Sequence, residues 1–212
     1  MDFLAISLPE KSFIVRLEKR FPLPDILRGM AVILMMQVHL MELFALPSVF
    51  ESLTGKISLF MGGPAAAPVF MAAMGYFFAR SQKSARQQII RGFKLIGAGI
   101  LLNTGMNAHL LIKIISGAFE INPWPYVFGV DILLLAGLSL ITMAVFKKPA
   151  ENKLLLWIIL MIAAAAINPY LPVYTGSFTP IKYLQAFFWG HFWWSYFPLF
   201  PWLAYPVLGV VL

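Results

Sequence analysis

The feature that most constrains this chain is a series of long apolar runs separated by short segments that carry most of its charge. Hydrophobic residues make up 60% of the 212 residues and charged residues only 12%, against roughly 45–50% and 25% in soluble domains. Because a helix needs about 20 apolar residues to cross a bilayer, the length allows six or seven spans and no separate soluble domain. We therefore expect an all-α fold, a polytopic transmembrane helix bundle.

The positions of the apolar runs predict five complete spans and part of a sixth. The five are residues 26–45, 57–79, 95–112, 126–146 and 154–167, and the sixth begins at Pro198. Residues 1–24 would form a cytoplasmic or interfacial tail and residues 25–212 the membrane domain. The last span is still apolar at Leu212, so we expect further spans to follow in a longer protein.

Several local signals refine these spans. Asp25 follows Pro22 and Pro24 and is predicted to cap the first span. Small residues and two prolines in residues 62–75 predict close helix packing and a kink in the second span. The aromatic segment 183–197 is too short to cross comfortably, and its Trp and Tyr residues favour the headgroup level.

The basic residues give an orientation. If the N-terminus is cytoplasmic, 13 of the 16 Lys and Arg residues fall on the cytoplasmic side, which is the side that basic loops prefer. Only Lys56, Lys113 and Lys182 then fall on the other side. The charge of +7 is thus interpreted as a topology signal of a multi-pass membrane protein, as in a bacterial inner or plasma membrane, and not as a nucleic-acid-binding surface.

The chain contains no cysteine, which excludes disulfides, thiolate metal sites and a cysteine nucleophile. It also shows no phosphate loop and none of the common zinc-protease or serine-hydrolase motifs. We expect neither a metal nor a permanently bound cofactor, so any catalysis would use oxygen or imidazole groups.

Ionisable residues inside spans are costly and mark functional sites, and four positions qualify here: Arg28, His39, Glu42 and Asp131. Arg28 and His39 are eleven residues apart, so both project from one helix face, about 20° apart and roughly 16 Å apart along the axis. Arg28 would lie near the cytoplasm and His39 in the outer half. Glu42 is placed to reach the His39 ring and fix its tautomer.

Simpler interpretations of these residues stay open. Glu42 can also sit at the outer headgroup level, and His39 can be satisfied by a neighbouring helix. Asp131 would lie about five residues, or ~8 Å, below the outer surface, near the level of Asn107. Asn103 and Asn107, one turn apart, could line a polar path across the bilayer, although intramembrane Asn often only joins helices. His109 and His191 are expected to have no functional role.

Residues 25–39 carry the most specific pattern of the chain: Asp25, then Arg28-Gly29, an apolar helix, and His39. This pattern resembles the opening of the transmembrane acyltransferase superfamily, which includes acyltransferase family 3 and bacterial relatives of heparan-alpha-glucosaminide N-acetyltransferase. Residues 67–78, 91–103 and 197–209 resemble the second branch. The family varies at the His39 position, where some members have Asn. By this resemblance the chain would hold little more than the first half of a family bundle.

The resemblance implies an acyl-CoA donor, usually acetyl-CoA, on the cytoplasmic side and a hydroxyl or amino acceptor on an extracytoplasmic sugar or cell-envelope glycan. In this prediction Arg28, with Asp25 beside it, and cations of the loop after the second span bind the donor. The loop cations are Arg80, Arg86 and Arg91. His39 would act as general base or carry the acyl group, and Glu42 or Asp131 would orient it.

Two other functions remain possible from the sequence. A transporter or flippase of a glycan or lipid could use Arg28, His39 and Asp131 as a relay, but the sequence shows no internal repeat to support it. A non-catalytic membrane scaffold would explain the small residues of the second span, but not an Arg and a His on one helix face.

The expected partners are acyl-CoA, the glycan acceptor, the lipid bilayer and a second copy in a homodimer, with no nucleic acid.

Overall fold

The computed structural model describes residues 22–151, 153–176 and 179–212. The predicted tail, apart from its last three residues, lies outside these ranges. Within the described ranges the regular elements are helices. There is in addition one isolated parallel β-bridge, between Val130 and Ser195. The structure therefore confirms an all-helical chain.

Among the described residues, three helical segments are long and apolar enough to cross a membrane: Leu23–Phe44, Leu53–Ala79 and Ala85–Met106. The first is α1 (Leu23–Phe44) and the third is α5 (Ala85–Met106). The short α2 (Pro47–Glu51) precedes the second, which consists of α3 (Leu53–Phe60), a π-helical turn (Met61–Ala65) and α4 (Ala66–Ala79). The π-helical turn contains Pro64, so the helix changes its hydrogen-bond pattern in the region where the prolines predicted a kink.

The remaining helices are shorter. They are α6 (Ala108–Ile115), α7 (Trp124–Val127), α8 (Ile132–Lys147), α9 (Leu154–Ala166), α10 (Thr179–Phe188), α11 (Leu199–Trp202) and α12 (Ala204–Val211). Apolar helices over Ile132–Lys147, Leu154–Ala166 and Leu199–Val211 lie where the fourth, fifth and sixth spans were predicted. The number of spans stays a prediction.

The start of α1 corrects the predicted role of Asp25. The helix begins at Leu23, so Asp25 lies inside the first turn and Pro22 is the N-cap, without a side-chain cap bond. Proline fits the first helical turn because its missing N–H would have no partner there. Pro24 therefore helps to start the helix and does not precede it.

The prediction of a cationic loop after the second span is also wrong in part. Ser84 and Gln87 form a capping box that starts α5 at Ala85, ten residues before the predicted start. Arg86 and Arg91 therefore lie on a helix, and only residues 80–84 connect α4 to α5. A capping box satisfies two main-chain N–H groups at once, so it favours this early start.

The predicted third and fourth spans are each interrupted on the same side of the bundle. α5 ends at Met106 with Asn107 as its C-cap, and α6 continues the chain. α8 starts only at Ile132, with Asp131 as its N-cap. The prediction that Asp131 lies within a helix is therefore wrong. Asp131 lies at the junction that precedes α8.

Glycine contacts bring the helices together. α5 and α8 run antiparallel, and a Cβ on Gly92 would lie 2.7 Å from the carbonyl oxygen of Gly137. α4 and α12 are equally close, since a Cβ on Gly75 would meet the main chain of Pro206. These contacts confirm that small residues of the second span permit close packing. The buried core around them includes Met71, Leu135, Met143, Leu203 and Val207.

Two glycines of α5 test this packing. Gly92→Ala should lower the melting temperature of the detergent-solubilised protein, because overpacking costs about 1–3 kcal/mol and the Gly137 carbonyl is main chain that must move. Gly97→Ala is the matched control, since nothing lies within 4 Å of a Cβ there, and it should keep or raise the melting temperature. Equal effects of the two variants would contradict the close α5–α8 contact.

Candidate active site

Helix α1 carries Arg28 and His39 towards opposite ends of the bundle. It runs antiparallel to the second helical segment, because Arg28 lies over the Phe77 ring at 4.9 Å while Val38 lies against Gly62. The two side chains are therefore separated by roughly 16 Å along α1. Both are exposed within the described part of the chain. The two residues thus lie at opposite ends, and the division into a donor end and an outer end stays a prediction.

His39 and Glu42 form the pair predicted from their spacing. The Nδ1 atom of His39 lies 3.3 Å from Oε2 of Glu42, and 55% of each side chain is exposed. A carboxylate at Nδ1 favours the tautomer with the proton on that nitrogen, which leaves Nε2 with a free lone pair. The pair therefore presents a basic nitrogen at the end of α1 away from Arg28.

Asp131 lies at the same end as His39. Its Oδ1 accepts a hydrogen bond of 2.9 Å from the Leu134 N–H, which caps α8. A Cβ on Gly99 of α5 would lie 3.2 Å from that oxygen, so the carboxylate sits between α5 and α8. His39, Glu42 and the Asp131 junction thus lie at the same end of the bundle.

Asn103 and Asn107 hold the chain that leads to Asp131. Asn103 Nδ2 donates to the Gly129 carbonyl at 2.7 Å, and Asn107 Nδ2 donates to the Tyr126 carbonyl at 3.3 Å. In this structure the two amides bind main-chain carbonyls of residues 126–129. They fix the end of α7 and the turn that leads to Asp131, which is the helix-joining role left open by the sequence.

An aromatic cluster closes the other side of this junction. Val130 N–H donates to the Trp194 carbonyl at 2.8 Å, and the Val130 carbonyl accepts from Tyr196 and Phe197 at 3.1 Å. Tyr183 links Phe128 and Trp194, with ring centroids 6.1 and 5.4 Å away. Sequence reasoning placed the aromatic residues in the interface but missed their contact with residues 128–130. No local signal revealed it, because the two segments are far apart in the chain.

The opposite end of the bundle is cationic. Arg28 pairs with Asp25 at 3.6 Å, and the Arg80 guanidinium lies 4.1 Å from the centre of the Tyr76 ring. Arg80 and Tyr76 also line a cavity of about 490 Å³ whose other walls include Leu23, Leu27, Ala73 and Leu212. The predicted donor residues Asp25, Arg28 and Arg80 therefore share one region around the end of α4.

Arg86 and Arg91 are not seen in contact with this group. Both are exposed on α5, and Arg91 donates to the buried Gln88 at 3.0 Å. Lys147 is the residue that the sequence missed. Its ammonium donates to the carbonyls of Ser81 and Lys83 at 3.3 and 2.9 Å, so the end of α8 holds the turn that follows Arg80.

Metal binding has no support in this geometry. Among residues 22–151, 153–176 and 179–212, no group of three or more His, Asp or Glu side chains is close enough to hold an ion. The site therefore has the His39–Glu42 pair and Asp131 at one end, and Arg28 and Arg80 beside a largely apolar cavity at the other. An arrangement of this kind suits a reaction in which an anionic molecule and a proton-releasing group are handled at separate positions.

A family comparison identifies the type of protein. The family model for heparan-alpha-glucosaminide N-acetyltransferase, catalytic, matches residues 20–212. The chain belongs to this family. Membership in the heparan-alpha-glucosaminide N-acetyltransferase family confirms the resemblance noted in the sequence and indicates a membrane acetyltransferase that acts on glycans. It gives no support to the transporter or scaffold alternatives. No curated protein and no solved structure matches the chain.

The two roles of Asp131 in this acetyltransferase domain can be separated by stability. Asp131→Ala should lower the free energy of unfolding by about 1 kcal/mol, because the α8 N-cap is lost. Asp131→Asn should leave it nearly unchanged, since Asn caps helices as well as Asp does. Thermal unfolding in detergent measures both variants. If Asp131→Asn were as unstable as Asp131→Ala, the charge and not the cap would be holding the junction.

Proposed function

We propose that this protein transfers an acyl group, most simply acetyl, from cytoplasmic acyl-CoA to a hydroxyl or amino group of an extracytoplasmic glycan. The observation that carries the proposal is the position of Arg28 and His39 at opposite ends of one helix, each beside further polar groups of matching chemistry. Arg28 is accompanied by Arg80, and His39 by Glu42. Family membership supports the reaction class.

The cationic end suits the donor. CoA carries several phosphate charges, and arginine binds phosphate oxygens through paired hydrogen bonds. The cavity beside Arg80 has apolar walls, so it could take the less polar arm of the donor while the guanidinium groups bind its phosphates. The excess of basic residues predicted on this side supports its assignment to the cytoplasm.

The opposite end suits the chemistry on the acceptor. His39 Nε2 accepts the proton of the acceptor hydroxyl or amine as its oxygen or nitrogen attacks the thioester carbonyl. The carbon–sulfur bond breaks, the acyl group stays on the acceptor, and the CoA thiolate leaves with the proton that His39 returns. Glu42 stabilises the imidazolium during this exchange. The thioester must extend from the Arg28 and Arg80 end towards His39, and Arg28 and His39 are roughly 16 Å apart along α1.

A two-step route uses the same residues, with His39 attacking the thioester and carrying the acyl group before the acceptor arrives. The two routes differ in one intermediate. Protein mixed with acetyl-labelled acetyl-CoA and no acceptor, then quenched, should retain label in the wild type and lose it in His39→Ala if the acyl group is carried. No retained label would show that His39 acts as a base only.

The catalytic assignment predicts that His39→Ala abolishes transfer to a glucosaminide while the protein still inserts and unfolds at the wild-type temperature. Loss of a general base costs about 10²–10⁴-fold in rate. His109→Ala and His191→Ala are matched controls, because both histidines are exposed and lie outside the site. Full activity of His39→Ala would contradict the assignment, and an unfolded His39→Ala protein would favour a structural role.

The donor assignment predicts that Arg80→Gln raises the KM for acetyl-CoA by about ten- to a hundredfold, since a hydrogen bond to a charged group contributes about 1.5–3 kcal/mol. The KM for the acceptor should not change. Lys113→Gln is the control, because Lys113 also lies over an aromatic ring but belongs to α6, beyond the Asn107 end of α5. An equal rise in both variants would contradict a donor site at Arg80.

A further inference from the structure

A cavity at the His39 end of the bundle lies outside the site described above. It has a volume of about 650 Å³, within the range of about 300–1,000 Å³ that small-molecule pockets occupy. One wall is formed by residues 172–176 and the other by α10 and Trp189. The cavity is therefore large enough for a ligand and close to the predicted acceptor side.

Helix α10 separates this cavity from the Asp131 junction. One of its faces carries Ala186 and Phe187, which pack with Val130 and Trp194. The other face carries Ile181, Leu184, Gln185 and Phe188, which line the cavity. These four positions follow the spacing of a single helical stripe. A ligand in the cavity would thus lie one helix away from the residue that precedes Asp131.

The lining is apolar, and several of its polar atoms already bind each other. Trp189 Nε1 donates to the Pro172 carbonyl at 2.8 Å, and Tyr174 N–H donates to Gln185 Oε1 at 2.8 Å. Ile181 and Leu184 are 41% and 60% exposed, so the cavity opens onto an apolar surface. A sugar buried here would leave hydroxyl groups unpaired, each at about 1–3 kcal/mol. A hydrocarbon chain has no hydrogen-bonding groups to leave unpaired in this cavity.

Gln185 offers no free hydrogen-bonding group to this cavity. Its Oε1 already accepts the Tyr174 N–H. Its Nε2 has no hydrogen-bond partner among the described residues but exposes almost no surface, so an atom inside the cavity does not reach it. This part of the wall therefore presents apolar surface to a bound molecule, which suits a hydrocarbon chain and not a polar group.

We propose that this cavity binds the apolar chain of a lipid that carries the acceptor glycan. The acceptor role rests on the proposed function, whereas binding of the chain does not. The lipid tail would lie in the cavity on one side of α10. The sugar would lie on the other side of α10, at the His39 end of the bundle.

Photocrosslinking tests the chain site without turnover. The probe is an alkyl glucosaminide with a diazirine in its chain, applied to the full chain in lipid nanodiscs without acyl-CoA, and labelled peptides are mapped by mass spectrometry. We expect labelling of the 172–176 and α10 walls that unlabelled alkyl glucosaminide reduces and methyl glucosaminide does not. Competition by methyl glucosaminide would instead show a sugar site and overturn the proposal.

Filling the cavity provides the matched variants. Ile181→Trp should weaken probe labelling about tenfold, which corresponds to about 1.4 kcal/mol, and Leu184→Trp should act in the same direction. Ile115→Trp is the control, because Ile115 is 86% exposed on α6 and does not line the cavity. Labelling that is spread over the exposed apolar helices and unchanged by Ile181→Trp would show ordinary surrounding lipid and overturn the proposal.

The outcome is separable from that of the proposed function. His39-dependent acetyl transfer with no cavity labelling would contradict the lipid site and leave the acyltransferase intact. Cavity labelling with no acetyl transfer to any glucosaminide would leave the chain site and contradict the acyltransferase. If both hold, the KM for an alkyl glucosaminide should be about tenfold below that of methyl glucosaminide, and Ile181→Trp should remove the difference.

Discussion

The absence of water from a bilayer core requires each main-chain N–H and C=O group there to find a partner within the protein. Continuous helices meet this requirement by themselves, and breaks need other donors and acceptors. The break at residues 128–131 has them, because Asn103 binds the Gly129 carbonyl within it, Asn107 binds the Tyr126 carbonyl just before it, and Trp194, Tyr196 and Phe197 bind Val130. Asp131 then supplies the cap of α8. The chain can therefore leave the helix at this level and place a carboxylate between α5 and α8.

The same bundle separates two kinds of chemistry. Close glycine contacts bring α5 against α8 and α4 against α12, so the helices act as supports of fixed length. About 24 Å separates Asp131 from Lys147 along α8. Lys147 holds the turn after Arg80 at one end, and Asp131 lies at the other end, which also carries His39 and Glu42. The Arg28 and Arg80 guanidinium groups and the His39 imidazole are thereby kept at opposite ends of a common frame.

Periodicity and composition were sufficient for the helical class, for most of α1 and α9, and for the His39–Glu42 pair, because these depend on residues close in sequence. They were insufficient to predict the helix break at Asp131. Its run of apolar neighbours was typical of a continuous span, and the partners that permit a break there lie in α5 and near residue 194. The capping box at Ser84 was readable in the sequence, and it would have placed Arg86 and Arg91 on a helix. The contact of Lys147 with the 81–84 turn depends on the antiparallel packing of α5 and α8, which no local pattern encodes.

The central claim is that the acyl group crosses the bundle from the Arg28 and Arg80 end to the His39 end. Sealed proteoliposomes that contain a trapped glucosaminide, with labelled acetyl-CoA added outside, test it most directly. In vesicles whose protein has its N-terminus outward, as scored by protease digestion of the tail, we expect label on the trapped glucosaminide, and none when His39 is replaced by Ala. Label found only on glucosaminide supplied on the same side as acetyl-CoA would contradict transfer across the membrane.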